Sequence, residues 1–182
     1  KNNSGVDINL QGWRIGKPSG QSGPMPSYIL KADSFVLVCS SSAVAALSAF
    51  APSIEVTGFP AISNTGDLLF LRSPQGLTIH AVDFKDTWYK NELKQQGGWS
   101  LEMIYSKNAC GGFVNWAASE NSIGGTPGKK NSTESVNADV SFPRLLRAYA
   151  TDSMNIVLVL NEALDSVNAA IADNYIINDG IG

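Results

Sequence analysis

The stretch of sequence that decides the fold is residues 97–105, GGWSLEMIY. Every second residue from Trp99 onward is apolar, so one face of an extended chain carries four of them: Trp99, Leu101, Met103 and Tyr105. An apolar row with a period of two indicates a half-buried β-strand. The glycine pair before this row and the sequence GGTPG at 124–128 favour turns. The pattern predicts the closing strand of a β-sandwich.

Alternating apolar residues elsewhere predict more strands, which makes the expected fold class all-β with one short helix. The predicted strands cover residues 6–15 with a bend at Gly12, 28–39 as one central strand, 68–72, 77–84, 144–150 and 154–160. The helix is predicted over residues 43–51, between a serine run and Pro52. Residues 68–84 form a predicted hairpin, and a slip in the alternation of its return strand predicts a bulge near His80 or Ala81.

Composition and charge argue against two classes of partner. The net charge is −3, from 13 basic and 16 acidic residues, and no basic run is longer than the pair at 129–130. A nucleic-acid-binding protein normally presents a basic face to the phosphates, so nucleic acid is not an expected partner. No apolar run approaches the roughly 20 residues that a membrane helix needs, so membrane insertion is not expected either.

The two cysteines, Cys39 and Cys110, each end or follow a predicted strand. A disulfide between them would stabilise the fold by about 4 kcal/mol in the chain-entropy model. Two buried free thiols are the alternative, because strand positions often bury cysteine. Two cysteines without supporting histidines do not make a zinc site.

Histidine-dependent catalysis would have to use His80, the one histidine of the chain. It lies inside a predicted strand, and Asp83 falls on the opposite face of that strand, so a packing or surface role is favoured. Asp67, Asp83, Asp86 and Glu102 lack the dense spacing of a calcium loop, and we expect them to be solvated. The sequence predicts no catalytic site, no metal site and no cofactor.

Three aromatic residues, Trp88, Tyr89 and Trp99, lie close together in sequence around a predicted loop. Aromatic rings at the edge of a sandwich can stack on sugar rings or anchor a protein partner, so these three are the candidate ligand-binding residues. The alternative is that they pack in the core or close one end of the sandwich. Trp13 and Trp116 are expected to be structural.

Several of these segments resemble one known family. The sequences GGWSLEMI at 97–104, NWAAS at 115–119 and GGTPGKKNS at 124–132, with Cys110 between them, resemble the end of a lamin tail domain. They are most similar to the version found in exported multidomain proteins of Gram-negative bacteria. The sequence INLQGWRI at 8–15 resembles the segment that follows the family's first strand pair. The resemblance implies an Ig-like β-sandwich over residues 1–132.

The first strand pair of that family has no counterpart in this chain. The resemblance therefore implies that one or more N-terminal strands are missing and that a neighbouring strand keeps unpaired backbone groups. A strand-swapped or edge-paired homodimer is the physical consequence. After a linker at 133–141, residues 142–182 resemble the opening half of a bacterial Ig-like domain of the surface-layer type, which implies a partial second β module.

Lamin tail domains are non-catalytic, so the resemblance implies a function in binding. We expect an interaction or adhesion module of a larger multidomain protein, which is not itself an enzyme and meets a protein or a glycan at the cell surface. The expected location is outside the cytoplasm: on the cell surface, secreted or in the periplasm. The alternative function is that of a carbohydrate-binding accessory module of an extracellular hydrolase.

Overall fold

The computed structural model describes residues 1–136, 143–161, 164 and 169–176. The chain divides into two compact units, Lys1–Ala138 and Asp139–Gly182. Residues that the sequence analysis assigns to the linker hydrogen-bond inside the first unit, since the backbone N–H of Ser135 donates to the carbonyl oxygen of Ile104 at 3.0 Å. The first unit thus includes the beginning of the predicted linker.

The described chain is mostly β-strand with one α-helix, in agreement with the predicted all-β class. The elements of the first unit are β1 (Ile8–Asn9), β2 (Arg14–Lys17), β3 (Gly20–Gln21), β4 (Ile29–Leu30), β5 (Leu37–Cys39), α1 (Ser41–Leu47), β6 (Ser53–Glu55), β7 (Gly66–Arg72), β8 (Thr78–Lys85), β9 (Leu101–Met103) and β10 (Trp116–Ala118). Short 3-10 helices cover Asp86–Tyr89, Lys94–Gln96 and Gly112–Asn115.

The largest sheet of the first unit is antiparallel and has the strand order β3-β2-β7-β8. Two further pairs, β1 with β4 and β9 with β10, are also antiparallel. The pair β5 and β6 is parallel, because α1 carries the chain back between the two strands. This helix is the predicted one, although it begins and ends earlier than the predicted range of 43–51.

The predicted hairpin is confirmed as β7 and β8, and its bulge is confirmed as well. Leu71 pairs with His80 and Arg72 with Thr78, which leaves Ile79 as the extra residue of the return strand. In the turn, the N–H of Gly76 donates to the carbonyl oxygen of Ser73 at 2.9 Å. Gly76 has a φ of +82°, a conformation that favours glycine.

The single central strand predicted over residues 28–39 is wrong. The segment forms two short strands, β4 and β5, which pair with different partners. Between them the chain turns at Asp33, which has a φ of +55°. Asp7 fixes this turn, because its carboxylate accepts a hydrogen bond from the N–H of Ala32 at 3.0 Å and one from the Lys31 ammonium at 2.8 Å.

The segment predicted as the closing strand contains a strand, but that strand is shorter than predicted. β9 covers only Leu101–Met103 and pairs with β10, a strand that the sequence analysis missed. Gly12 is confirmed as a bend between two short strands, with a φ of +81°.

The core of the first unit has an apolar part and a polar part. A cluster of buried apolar side chains lies under the first strands: Leu10, Met25, Leu30, Ile54 and Val56. Around β9 and β10 most buried side chains are polar, namely Glu102, Asn115 and Ser119, and Ala118 is the buried apolar one. Buried polar groups need hydrogen-bond partners, so this second region depends on directional contacts.

The second unit contains the antiparallel hairpin of β11 (Leu145–Ala150) and β12 (Ile156–Leu160), which confirms the two strands predicted there. Its turn is closed by Asp152, whose carboxylate accepts a hydrogen bond from the N–H of Met154 at 2.8 Å. A 3-10 helix covers Ala172–Asn174. Residues 162, 163, 165 and 177, which belong to the segments that resemble an Ig-like domain, lie outside the described residues.

Among the residues that the structure describes, no helix has the length and apolar character needed to cross a bilayer.

Candidate binding site

Trp88, the first of the three candidate aromatic residues, packs against other rings. Its side chain is half-buried, with its ring centroid 6.4 Å from that of Phe113 in an edge-to-face arrangement and 6.2 Å from that of Trp116. Contacts of this kind stabilise a fold by about 0.5–1.5 kcal/mol beyond the area that they bury. Trp88 and Trp116 therefore form one structural cluster.

Tyr89 and Trp99 are brought together at a different place. The hydroxyl of Tyr89 donates to the backbone carbonyl oxygen of Trp99 at 3.1 Å, and burial raises the pKa of this tyrosine. Both residues line an open cleft of about 510 Å³, which we call the polar cleft. Its other walls are the loop at 62–65, residues 84 and 86, and the segment 95–98.

The polar cleft contains side chains that hydrogen-bond to nothing else in the described part of the chain. They are the amides of Asn64, Gln95 and Gln96 and the carboxylate of Asp86. An amide offers both donors and acceptors, whereas a carboxylate offers acceptors only. The cleft therefore combines three aromatic residues, Phe84, Tyr89 and Trp99, with polar groups that are free to bond to a ligand.

Trp99 also lines a second cleft, of about 600 Å³, which we call the apolar cleft. Phe50 and Ile123 form part of its wall, and they are 50% and 69% exposed. Both clefts include Gly98 in addition to Trp99. The backbone at Trp99 is thus the boundary that the two clefts share.

The indole of Trp99 is held in place by Lys94. The ammonium of Lys94 lies 4.4 Å from the centroid of the Trp99 ring, within the range of a cation–π contact. The same ammonium donates to the carbonyl oxygen of Ser119 at 2.7 Å. Because these two contacts fix the Lys94 side chain, it restricts the movement of the Trp99 indole. A restricted indole favours a binding site that is formed before the ligand arrives.

Two glycines bring the backbone near Trp99 close to the loop that follows β10. The N–H of Ser100 donates to the carbonyl oxygen of Gly124 at 2.7 Å. Gly124 has a φ of +90°, and a Cβ atom on it would collide with the carbonyl oxygen of Gly98. Gly124 is thus needed for close approach, whereas Gly97 and Gly98, where a Cβ atom would meet open space, are favoured by their positive φ angles.

Glu102 lies beneath the apolar cleft and is buried, being only 4% exposed, so the expectation that it is solvated is wrong. Its carboxylate accepts hydrogen bonds from the Thr126 hydroxyl at 2.7 Å and from the hydroxyl and N–H of Ser132 at 2.7 and 2.8 Å. Burial raises the pKa of Glu102, but the hydrogen bonds from Thr126, Ser132, Ser119 and Thr133 outweigh burial and lower it overall. Glu102 therefore connects β9 to the residues that donate these hydrogen bonds.

His80 lines a different cavity, of about 520 Å³, whose wall is mostly apolar. Burial lowers the pKa of His80, and the positive charge of the N-terminus lowers it further. Glu134 and Ser106 line the same cavity. The carboxylate of Glu134 pairs with the Lys130 ammonium at 3.5 Å. The hydroxyl oxygen of Ser106 accepts a hydrogen bond from the Lys1 ammonium at 3.3 Å. No hydrogen bond joins the His80 imidazole to another side chain in the described ranges.

The two cysteines are both free thiols in the structure. Cys39 is buried, and its sulfur lies 3.8 Å from the carbonyl oxygen of Ile54, whereas Cys110 is exposed. The described residues contain no group of three or more histidine, cysteine, aspartate or glutamate side chains placed to hold a metal ion.

Comparison with known proteins identifies no relative. The chain matches no family model, no curated protein and no solved structure. The fold and the site define an all-β protein with a two-cleft surface around Trp99, and the resemblance to lamin tail domains stays a prediction from the residues quoted above.

Proposed function

We propose that this chain is a non-catalytic interaction or adhesion module of a larger multidomain protein, and that the surface around Trp99 recognises its ligand. The observation that carries the proposal is the polar cleft, where the rings of Tyr89 and Trp99 meet side chains with unused hydrogen-bonding groups. Such a combination is typical of sites that bury one face of a ligand and fix its orientation with a few polar contacts.

The proposal also includes the cellular location of the protein and the type of β-sandwich that it forms. We infer an extracytoplasmic module, on the cell surface, secreted or in the periplasm, with an Ig-like sandwich of the lamin tail type. The antiparallel pairing of β7 with β8 and of β9 with β10 is compatible with such a sandwich. The residues quoted for the resemblance, which include β9 and β10, are its main support.

Pairing between two copies through a strand edge is a further part of the proposal. β8 is eight residues long and, among the strands of the described chain, pairs only with β7. A long strand with one free edge can add a strand from another molecule. Sedimentation equilibrium over a range of concentrations tests this, since we expect dimers at high concentration, and a monomer throughout would contradict the proposal.

A carbohydrate-binding accessory module of an extracellular hydrolase is the second candidate function. The specific observation in its favour is the presence of three side-chain amides beside three aromatic residues in one open cleft. Sugar hydroxyls both donate and accept hydrogen bonds, and amides do the same.

The test of the proposal is retention of the whole chain on defined surfaces. Wild type, Trp99→Ala and Gln95→Ala would be passed over immobilised collagen, fibrinogen and a set of neutral polysaccharides. Gln75→Ala is the matched control, because Gln75 lies in the β7–β8 turn, is exposed and lines neither cleft. Retention that both cleft variants reduce supports the proposal. Failure of every surface to retain the chain, or retention unchanged in both cleft variants, would contradict it.

A further inference from the structure

The two clefts are neighbours in the structure, because part of their lining is the same. Both are lined by Gly98 and Trp99, and their volumes are about 600 and 510 Å³. Each volume falls in the range of roughly 300–1,000 Å³ that is typical of small-ligand sites.

We propose that the two clefts together form one groove that binds a neutral oligosaccharide, with sugar units on both sides of Trp99. The inference rests on the function proposed above and names the ligand class of that surface. The polar cleft would hold one part of the sugar chain and the apolar cleft the next part, so that Trp99 and Gly98 contact both.

Each cleft offers an aromatic ring besides Trp99. Tyr89 lies in the polar cleft and the half-exposed ring of Phe50 in the apolar cleft. The apolar C–H face of a sugar ring packs well on an aromatic ring, which is flat and rigid. Two such rings in neighbouring clefts suit a ligand made of repeating rings.

The polar groups of the groove suit hydroxyl groups. The amides of Asn64 and Gln95 can both donate and accept, and the carboxylate of Asp86 can accept. None of the three is engaged elsewhere in the described chain. Sugar hydroxyls both donate and accept hydrogen bonds, so they can use this mixture of groups.

The charges of the groove favour a neutral ligand over an ionic one. Asp86 contributes one negative charge. The Glu102 carboxylate, which lines the apolar cleft, is buried and already accepts hydrogen bonds from Thr126 and Ser132. The Lys94 ammonium, which lies beside the groove, is bound to the Ser119 carbonyl oxygen and the Trp99 ring. A strongly charged ligand would meet little net opposite charge in this groove. Acidic or basic polymers are therefore poor candidates.

An extended peptide fits the polar cleft less well than a sugar chain. Peptides in grooves commonly pair their backbone with a free strand edge. The polar cleft is lined mainly by the loop at 62–65 and the end of the 3-10 helix Lys94–Gln96, which offer side chains, and Phe84 is the one residue that β8 contributes to its lining. This geometry gives an oligosaccharide the better match.

The experiment is a length series measured by isothermal titration with the full chain. Cello-, xylo-, malto- and manno-oligosaccharides of one to six units are the probes. We expect at least one series to bind, with affinity rising about tenfold or more from one unit to four. Gln95→Ala in the polar cleft and Phe50→Ala in the apolar cleft are each expected to weaken the longer ligand by about fivefold, whereas Gln75→Ala leaves it unchanged.

The outcomes separate this inference from the proposed function. Binding that does not depend on length, or that neither Gln95→Ala nor Phe50→Ala weakens, would overturn the two-cleft inference. If no oligosaccharide binds but collagen or fibrinogen is retained through Trp99 and Gln95, the inference fails and the interaction module stands. If neither sugars nor proteins bind through these residues, both fail. Thermal unfolding of each variant confirms that a loss of binding is not a loss of fold.

Discussion

Glu102 and Ser132 are joined by two hydrogen bonds although they lie 30 residues apart in the chain. The Ser132 hydroxyl and backbone N–H both donate to the same carboxylate oxygen, at 2.7 and 2.8 Å. The other carboxylate oxygen accepts from the Thr126 hydroxyl at 2.7 Å. Hydrogen bonds to a charged acceptor are stronger than neutral ones, and they compensate the cost of burying the carboxylate. Together they fix β9 and the floor of the apolar cleft.

Replacement of Glu102 by glutamine should destabilise the protein. Glutamine has nearly the same size, but it carries no charge and presents an NH₂ group where the carboxylate accepts. We expect Glu102→Gln to lower the free energy of unfolding by about 1–3 kcal/mol, measured by urea denaturation. The control is Glu120→Gln, since Glu120 is exposed, and its effect should stay within about 0.5 kcal/mol. Equal effects of the two substitutions would contradict the structural role of Glu102.

The contribution of Glu102 should depend on pH. The pKa of Glu102 is lower in the folded chain than its ordinary value, so the ionised form favours folding. Its contribution is complete above the ordinary glutamate pKa of about 4.3 and is lost as the pH falls through the lower folded pKa. Asp7 and Asp67 also have lowered pKa values, so the useful quantity is the difference in unfolding free energy between wild type and Glu102→Gln. This difference should shrink from pH 7 to about pH 3; a constant or growing difference would refute the assignment.

Gly124 should tolerate alanine less well than Gly98. Both glycines have positive φ angles, +90° and +79°, so alanine should cost about 1–2 kcal/mol of backbone strain at each. At Gly98 a Cβ atom meets open space, whereas at Gly124 it collides with the carbonyl oxygen of Gly98. Gly124→Ala should therefore be the less stable variant in urea denaturation. Equal stability of the two variants would mean that the loop after β10 does not approach Gly98 as closely as the structure has it.

The two thiols should differ in reactivity. Cys110 is exposed and Cys39 is buried, and both are free. We expect a thiol reagent such as DTNB to modify one cysteine rapidly in the native protein and both in denaturant. Peptide mapping should place the native modification at Cys110. A native protein in which neither cysteine reacts, with a non-reducing mass two units below the reduced mass, would instead indicate the disulfide considered in the sequence analysis.

Local features of the fold could be predicted from the sequence, and features set by distant contacts could not. The β7–β8 hairpin and its bulge follow from alternation and a short turn within residues 66–85. The break between β4 and β5 escaped prediction because Asp7, some 25 residues away, holds the turn. β10 was not predicted because three residues are too few to show the two-residue period of a strand. It is a strand because it pairs with β9.

The residues of the candidate site also differ in whether the sequence alone could predict them. Tyr89 and Trp99 could be predicted as candidate residues because they are aromatic and lie near a loop. In the structure a hydrogen bond joins them. Trp88 is adjacent to Tyr89 in sequence, but its ring packs against Phe113 instead. Asn64 and Gln95 could not be found from sequence, because they come from separate segments and only the folded chain brings them to one cleft.

The most direct test of the account is to follow the indole N–H signals of the four tryptophans by NMR during titration of the whole chain with the tetra- to hexasaccharides named above. Single Trp→Phe variants assign the signals. The account predicts that the Trp99 signal shifts with at least one sugar series, while that of Trp13, which packs against the apolar core, stays in place. A Trp99 signal that no series moves, or a shift at Trp13 without one at Trp99, would contradict the claim that Trp99 is the centre of a sugar-binding surface.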